Sequence, residues 1–139
     1  MSYQKNAHGT FEIDTSFVHE GIIVGKLIGA WNIQTAEEYI DAWLEIAELN
    51  LMQSEWGGIN DMRQWGLCTP EVSTFFNDNI LKFVDIGFIF NAVLPSIEMQ
   101  KMITKRIADV AQETTLETQY FSSFDTALSW ARAELRQYD

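Results

Sequence analysis

The run Phe88-Ile89-Phe90-Asn91-Ala92-Val93-Leu94 constrains the fold more tightly than any other stretch of the sequence. It is apolar on both faces when read as a strand, so both faces need cover. Helices on either side of a sheet supply that cover, and the other elements alternate as such a layer requires. Phe11, Ile13 and Phe17 alternate with Glu12, Asp14 and Ser16, the period of a strand with one wet face. After a break at His19-Glu20-Gly21, Ile22 to Trp31 reads as a longer apolar strand, close enough to the first for an antiparallel hairpin. Gly25 and Gly29 leave room above it for a bulge or close helix packing.

Thr35-Ala36-Glu37-Glu38 has the form of a capping box and predicts a helix starting there. Ala36, Ile40, Trp43, Leu44, Ala47 and Leu51 form its inner stripe, while Glu37, Glu38, Asp41, Glu45 and Glu48 face outward. Trp56 to Met62 reads as the next strand, followed by a loop to Thr69. Thr69 as N-cap, Pro70 at the first helical position and Glu71 behind it then start a second helix. Val72, Phe75, Phe76, Ile80 and Phe83 form its inner face, and Gly87 stands where a left-handed turn is expected. Beyond the central strand, Pro95-Ser96 opens a third helix with Met99, Ile103, Ile107 and Val110 inward and Lys101, Lys105 and Arg106 as a basic patch. A short strand over Gln119 to Phe121 and a last helix capped by Ser123 close the chain. The expected architecture is α/β: a mixed, largely parallel sheet with an N-terminal antiparallel hairpin, about four helices and right-handed crossovers.

A chain of 139 residues fits one domain, here residues 1–139 with 1–9 loosely ordered. Hydrophobic residues make up 47 % and aromatic residues 13 %, which excludes a disordered chain and leaves aromatics over for a pocket or an interface. The formal charge of −11 repels phosphate backbones, so nucleic acid is not expected as a partner. The start lacks the apolar segment of a signal peptide, and no apolar run approaches the ~20 residues that span a bilayer. A cytoplasmic protein without membrane insertion is expected.

Chemistry, if present, belongs to the stretch Trp56 to Val72. It holds the sole cysteine, Cys68, and the pair Asp61 and Arg63, two apart and able to bind each other or a polar ligand group. Cys68 precedes a helix start, which favours a thiolate, but neither His8 nor His19 is placed beside it as a base. Two distant histidines give no metal-ligand spacing, and no glycine-rich phosphate loop follows a strand, so no metal or cofactor is expected. In open α/β sheets ligands gather beyond the carboxyl ends of the strands, which here directs attention to the loops at Asp61 to Thr69, Leu94 to Ser96 and Trp31 to Thr35. Asp61, Arg63, Trp65, Cys68 and Thr69 are the candidate ligand or partner loop, with Trp31, Phe75 and Phe76 as candidate pocket aromatics.

Leu27-Ile28-Gly29, Asn60-Asp61-Met62-Arg63-Gln64-Trp65 and the segment from Phe121 to Trp130 (FSSFDTALSW) add a resemblance. With the element order, they make the chain similar to the SpoIIAA-like fold of anti-sigma-factor antagonists and STAS domains, and more locally to bacterial SpoIIAA-like (STAS/SEC14-type) proteins of unknown function. In the antagonists a phosphorylatable serine stands at the start of the helix after the third strand. The resemblance places Thr69 there as a candidate for phosphorylation, although the Ser-Gly pair is missing and Pro70 removes an amide that would hold the phosphate. Three readings follow. The first is a non-catalytic regulatory module that binds a protein partner or forms a homodimer. The second, implied by the SEC14-type likeness, is a carrier or sensor of a small apolar molecule or lipid. The third is an enzyme using Cys68 or Asp61.

Overall fold

The computed structural model describes residues 9–52, 54–66, 69–95 and 116–138. They form one five-stranded sheet in the order β1-β2-β3-β4-β5. The strands are β1 (Thr10–Asp14), β2 (Ile22–Gly29), β3 (Trp56–Trp65), β4 (Phe88–Pro95) and β5 (Glu117–Tyr120), and the helices are α1 (Ile33–Asn50), α2 (Pro70–Asp85) and α3 (Phe124–Arg136). β1 pairs antiparallel with β2, and every later neighbour is parallel. The expected hairpin and parallel layer are therefore present. The expected third helix, from Ser96 to Val110, and residues 1–8 lie outside the described residues.

Several boundaries differ from those expected, each for a local reason. β1 stops at Asp14, whose carboxylate accepts the Ser16 amide and turns the chain; a short 3-10 turn over Val18–Glu20 follows. The cap of α1 is Asn32, not Thr35: the Asn32 side chain accepts from the Thr35 amide, and Thr35 lies inside the first turn. Both residue types cap well, and the end of β2 at Gly29, with φ of 81°, brings the chain into helical geometry at the earlier one. β3 runs three residues past Met62 to Trp65, because a bulge opposite Lys26 and Ile28 lets pairing resume at Gln64 and Trp65. Thr69 does stand at the start of α2, yet its hydroxyl makes no capping bond; Pro70 at the first position supplies the preset φ instead.

The sheet separates two cores. α1 and α2 cover one face, burying Ile23, Leu27, Trp43, Trp56, Met62 and Phe83 among others. α3 covers the other, where Ala127 and Ala131 meet Ile22, Val24, Ile59 and Ala92. Ser123 caps α3 as expected, accepting from the Thr126 amide. Arg132 on that helix holds Glu20 in a two-pronged ion pair at 2.8 and 3.0 Å, tying α3 to the turn before β2.

Candidate functional site

Two asparagines interrupt the apolar centre of the sheet, and both face α1 and α2. Asn60 lies in β3 and Asn91 in β4. Tyr39, one turn before Trp43 on α1, reaches down between them. Its hydroxyl donates to Asn60 Oδ1 at 2.5 Å, and Asn60 Nδ2 donates to Asn91 Oδ1 at 2.8 Å. Gly25 on β2 is what admits the phenol, since a Cβ there would collide with the Tyr39 hydroxyl. Burial pushes the Tyr39 hydroxyl far above its ordinary range; the nearby Trp43 indole opposes this only in part, and the Asp61 charge adds to it. The phenol is therefore a neutral donor at any working pH.

These three residues form the polar part of the wall of a partly enclosed cavity of about 60 Å³. The rest is mainly apolar: the aliphatic side chains of Leu27, Ile40, Met62 and Ile80, and the rings of Trp43, Phe76, Phe83 and Phe88. The space has room for about four waters or a compact molecule of similar bulk. Its origin lies in the aromatic residues. The Trp43 ring lies over Gly58, where a Cβ would strike it, and meets Phe83 and Phe88 edge to face at 90° and 85°. Flat rings held at right angles leave gaps that branched aliphatics would fill. A second depression, about 760 Å³, lies around His19, Glu20, Asn50, Ser54, Glu55 and Tyr138. It is a larger trough edged by exposed turns, and its mixed, largely polar wall lacks the mainly apolar lining that a small apolar molecule requires.

The residues singled out from sequence fall in different places. Asp61 and Arg63 pair with each other: Arg63 Nε and a terminal nitrogen each lie 2.9 Å from a carboxylate oxygen, and the Arg63 amide adds a bond at 3.1 Å. Burial raises the Asp61 pKa, but the Arg63 hydrogen bonds and charge, with help from Lys26, outweigh it and hold the carboxyl below its ordinary range. By strand alternation Asp61 sits with Ile59 on the α3 side, away from the cavity. A carboxylate with both oxygens on a guanidinium is occupied, and poorly suited to take a proton. Phe76 lines the cavity. Trp31, Trp65 and Phe75 belong to the ring cluster beside it, with Trp31 5.6 Å from Trp65 and Phe75 6.3 Å from Phe76. Trp31 is anchored by its indole, which donates to the carbonyls of Thr10 and Ile28. Thr69 is exposed at the start of α2, and Cys68 lies outside the described residues. Among the described residues no group of three or more His, Cys, Asp or Glu is placed to hold a metal.

Tyr39 was not marked by motif or spacing, and Asn60 and Asn91 entered only as members of the resemblance segment 60–65 and the apolar strand run 88–94, with no role as site residues. The available signal was a polar residue at the centre of each of two apolar strands, where a buried amide requires a hydrogen-bond partner.

No protein-family model matches the chain, and no curated protein matches it. Among solved structures it is similar to an uncharacterised protein of the DUF3478 family with a SpoIIAA-like fold from Shewanella loihica, with 19 % identity and a TM-score of 0.65 over 90 % of this chain and 94 % of that one. The fold is thus SpoIIAA-like, as the element order and local resemblance implied. Among the described residues no helix is long and apolar enough to cross a membrane.

Proposed function

We propose that this SpoIIAA-like domain is a non-catalytic binding module whose cavity beneath α1 and α2 takes a small, mainly apolar molecule. The observation that carries this reading is the cavity itself, apolar over most of its wall and furnished with a buried Tyr39-Asn60-Asn91 chain on the remainder. An apolar hollow with a few convergent polar groups is the usual form of a small-molecule site. Purified without detergent, the protein should release a small organic molecule into a solvent extract, detected by gas chromatography. Ile80→Phe, which fills the cavity from α2, should release none. Identical extracts from the two proteins would contradict the proposal.

A second reading, self-association or docking of a protein partner, has its own support. Leu49, Met52 and Leu81 stand 76 %, 51 % and 46 % exposed on α1, the turn after it and α2. Light scattering tests it: a dimer lost on Leu49→Lys supports the reading, and a monomer at all concentrations removes the homodimer.

A further inference from the structure

The cavity's hydrogen-bonding groups are unevenly used, and the imbalance specifies the ligand. This inference rests on the small-molecule reading above. Each asparagine amide offers two N–H donors and one carbonyl oxygen. The Asn60 oxygen accepts from Tyr39, and the Asn91 oxygen accepts from Asn60. Both carbonyls are therefore engaged. The Asn91 amide nitrogen donates to nothing among the described residues, although the residue is only 7 % exposed and lines the cavity. Unlike the Trp43 indole N–H, which is fully buried and unpaired among the described residues, the Asn91 nitrogen keeps accessible surface, so an acceptor carried by a ligand can reach it and supply the partner that the protein does not. No cationic side chain lines the cavity among the described residues, so a carboxylate or phosphate would enter without a counter-charge.

We infer that the ligand is a compact neutral molecule whose hydrogen-bond acceptor, a ketone, ester or amide carbonyl, is received by the Asn91 side-chain amide. Its apolar remainder lies among Leu27, Ile40, Met62 and Ile80. Tyr39 acts at one remove: by donating to Asn60 it sets the direction of the chain and turns the Asn91 nitrogen toward the cavity. The Tyr39 hydroxyl is held neutral by burial, so this orientation does not change with pH.

Three probes of equal size separate the alternatives: 2-butanone, 2-methylbutane, in which a methyl replaces the carbonyl oxygen, and propionate. Titrations are followed by NMR on the intact chain, reading the cavity methyl groups and the Asn91 side-chain amide. In the wild type, 2-butanone should shift the Asn91 amide protons downfield. The ratio of its affinity to that of 2-methylbutane should fall by about tenfold in Asn91→Leu. Propionate should bind more weakly than 2-butanone at neutral pH. If Asn91→Leu does not fold, the wild-type amide shift and the ketone-to-propionate order decide the matter by themselves. Binding of 2-methylbutane together with an unmoved Asn91 amide under 2-butanone overturns this inference while the small-molecule function stands. Propionate binding as tightly as the ketone likewise overturns it. No cavity shift with any probe overturns both.

Discussion

The two faces of the sheet are packed by different means. On the α3 face, Ala127 and Ala131, one helical turn apart, let the helix approach Ile22, Val24, Ile59 and Ala92, and the rings there are fewer: Phe90 and Phe121 pack on Trp130, and Phe17 on Phe124. On the α1/α2 face, Trp31, Trp43, Trp56 and Trp65 pack with Tyr39, Phe76, Phe83 and Phe88. Small branched side chains interlock at close approach, whereas large rigid rings bury more area per residue but meet at angles that leave space between them. One face is built for contact, and the other carries a hollow with a polar wall.

The largest expected effect tests what the aromatic face contributes to stability. Trp56 is 0 % exposed and its indole donates to the Ile86 carbonyl, so Trp56→Ala should cost about 3–5 kcal/mol in urea unfolding. A loss below about 1 kcal/mol would mean that the rings contribute little. Next, Gly25→Ala drives a methyl into the Tyr39 hydroxyl and should cost about 2 kcal/mol, with loss of the slowly exchanging Tyr39 hydroxyl proton in NMR spectra. Enlarging one residue on each face then sharpens the contrast directly. Ala131→Leu overfills the α3 face and should cost about 1–3 kcal/mol, while Ile80→Phe grows into existing space and should change stability by less than about 1 kcal/mol, in either direction. Equal losses would show the two faces to be packed alike.

The smallest effect concerns Glu134 on α3. Burial raises its pKa above the ordinary 4.5, and the neighbouring Glu117 carboxylate raises it further, against a hydrogen bond from Gln137. A raised carboxyl pKa means that the folded chain holds the proton more tightly than the unfolded one, so the charged form weakens folding above the raised value. Glu134→Gln should therefore stabilise the protein at pH 7 by up to about 1 kcal/mol. That gain should shrink as pH falls through the raised folded-state pKa and vanish below the ordinary carboxylate value, a course measurable by thermal unfolding at a series of pH values.

The layer architecture was legible because its signals are local. The two-sided apolar run became β4, the turn glycine at Gly87 has φ of 103°, and Ser123 caps α3. The boundary between β2 and α1 was not, because Asn32 and Thr35 are competing caps and only the path of the chain after Gly29 selects between them. The length of β3 depended on a bulge, which is a property of two paired strands. The polar chain was still less accessible. Tyr39, Asn60 and Asn91 come from three elements, and their meeting depends on strand register and on the absent side chain of Gly25. Asp61 and Arg63, two apart on one strand, were legible as a pair for the opposite reason: their contact requires nothing beyond the strand and its bulge.

The most direct test of the contrast between the faces, and of the cavity on which the proposed function depends, is methyl NMR of the intact protein under xenon pressure. Xenon enters apolar cavities large enough to hold it without needing any polar partner. Saturable shifts at Leu27, Ile40, Met62 and Ile80, with none at Ile22, Val24, Ile59 or Leu94, are the predicted result. Uniform small shifts on both faces, or a response confined to the α3 side, would contradict it.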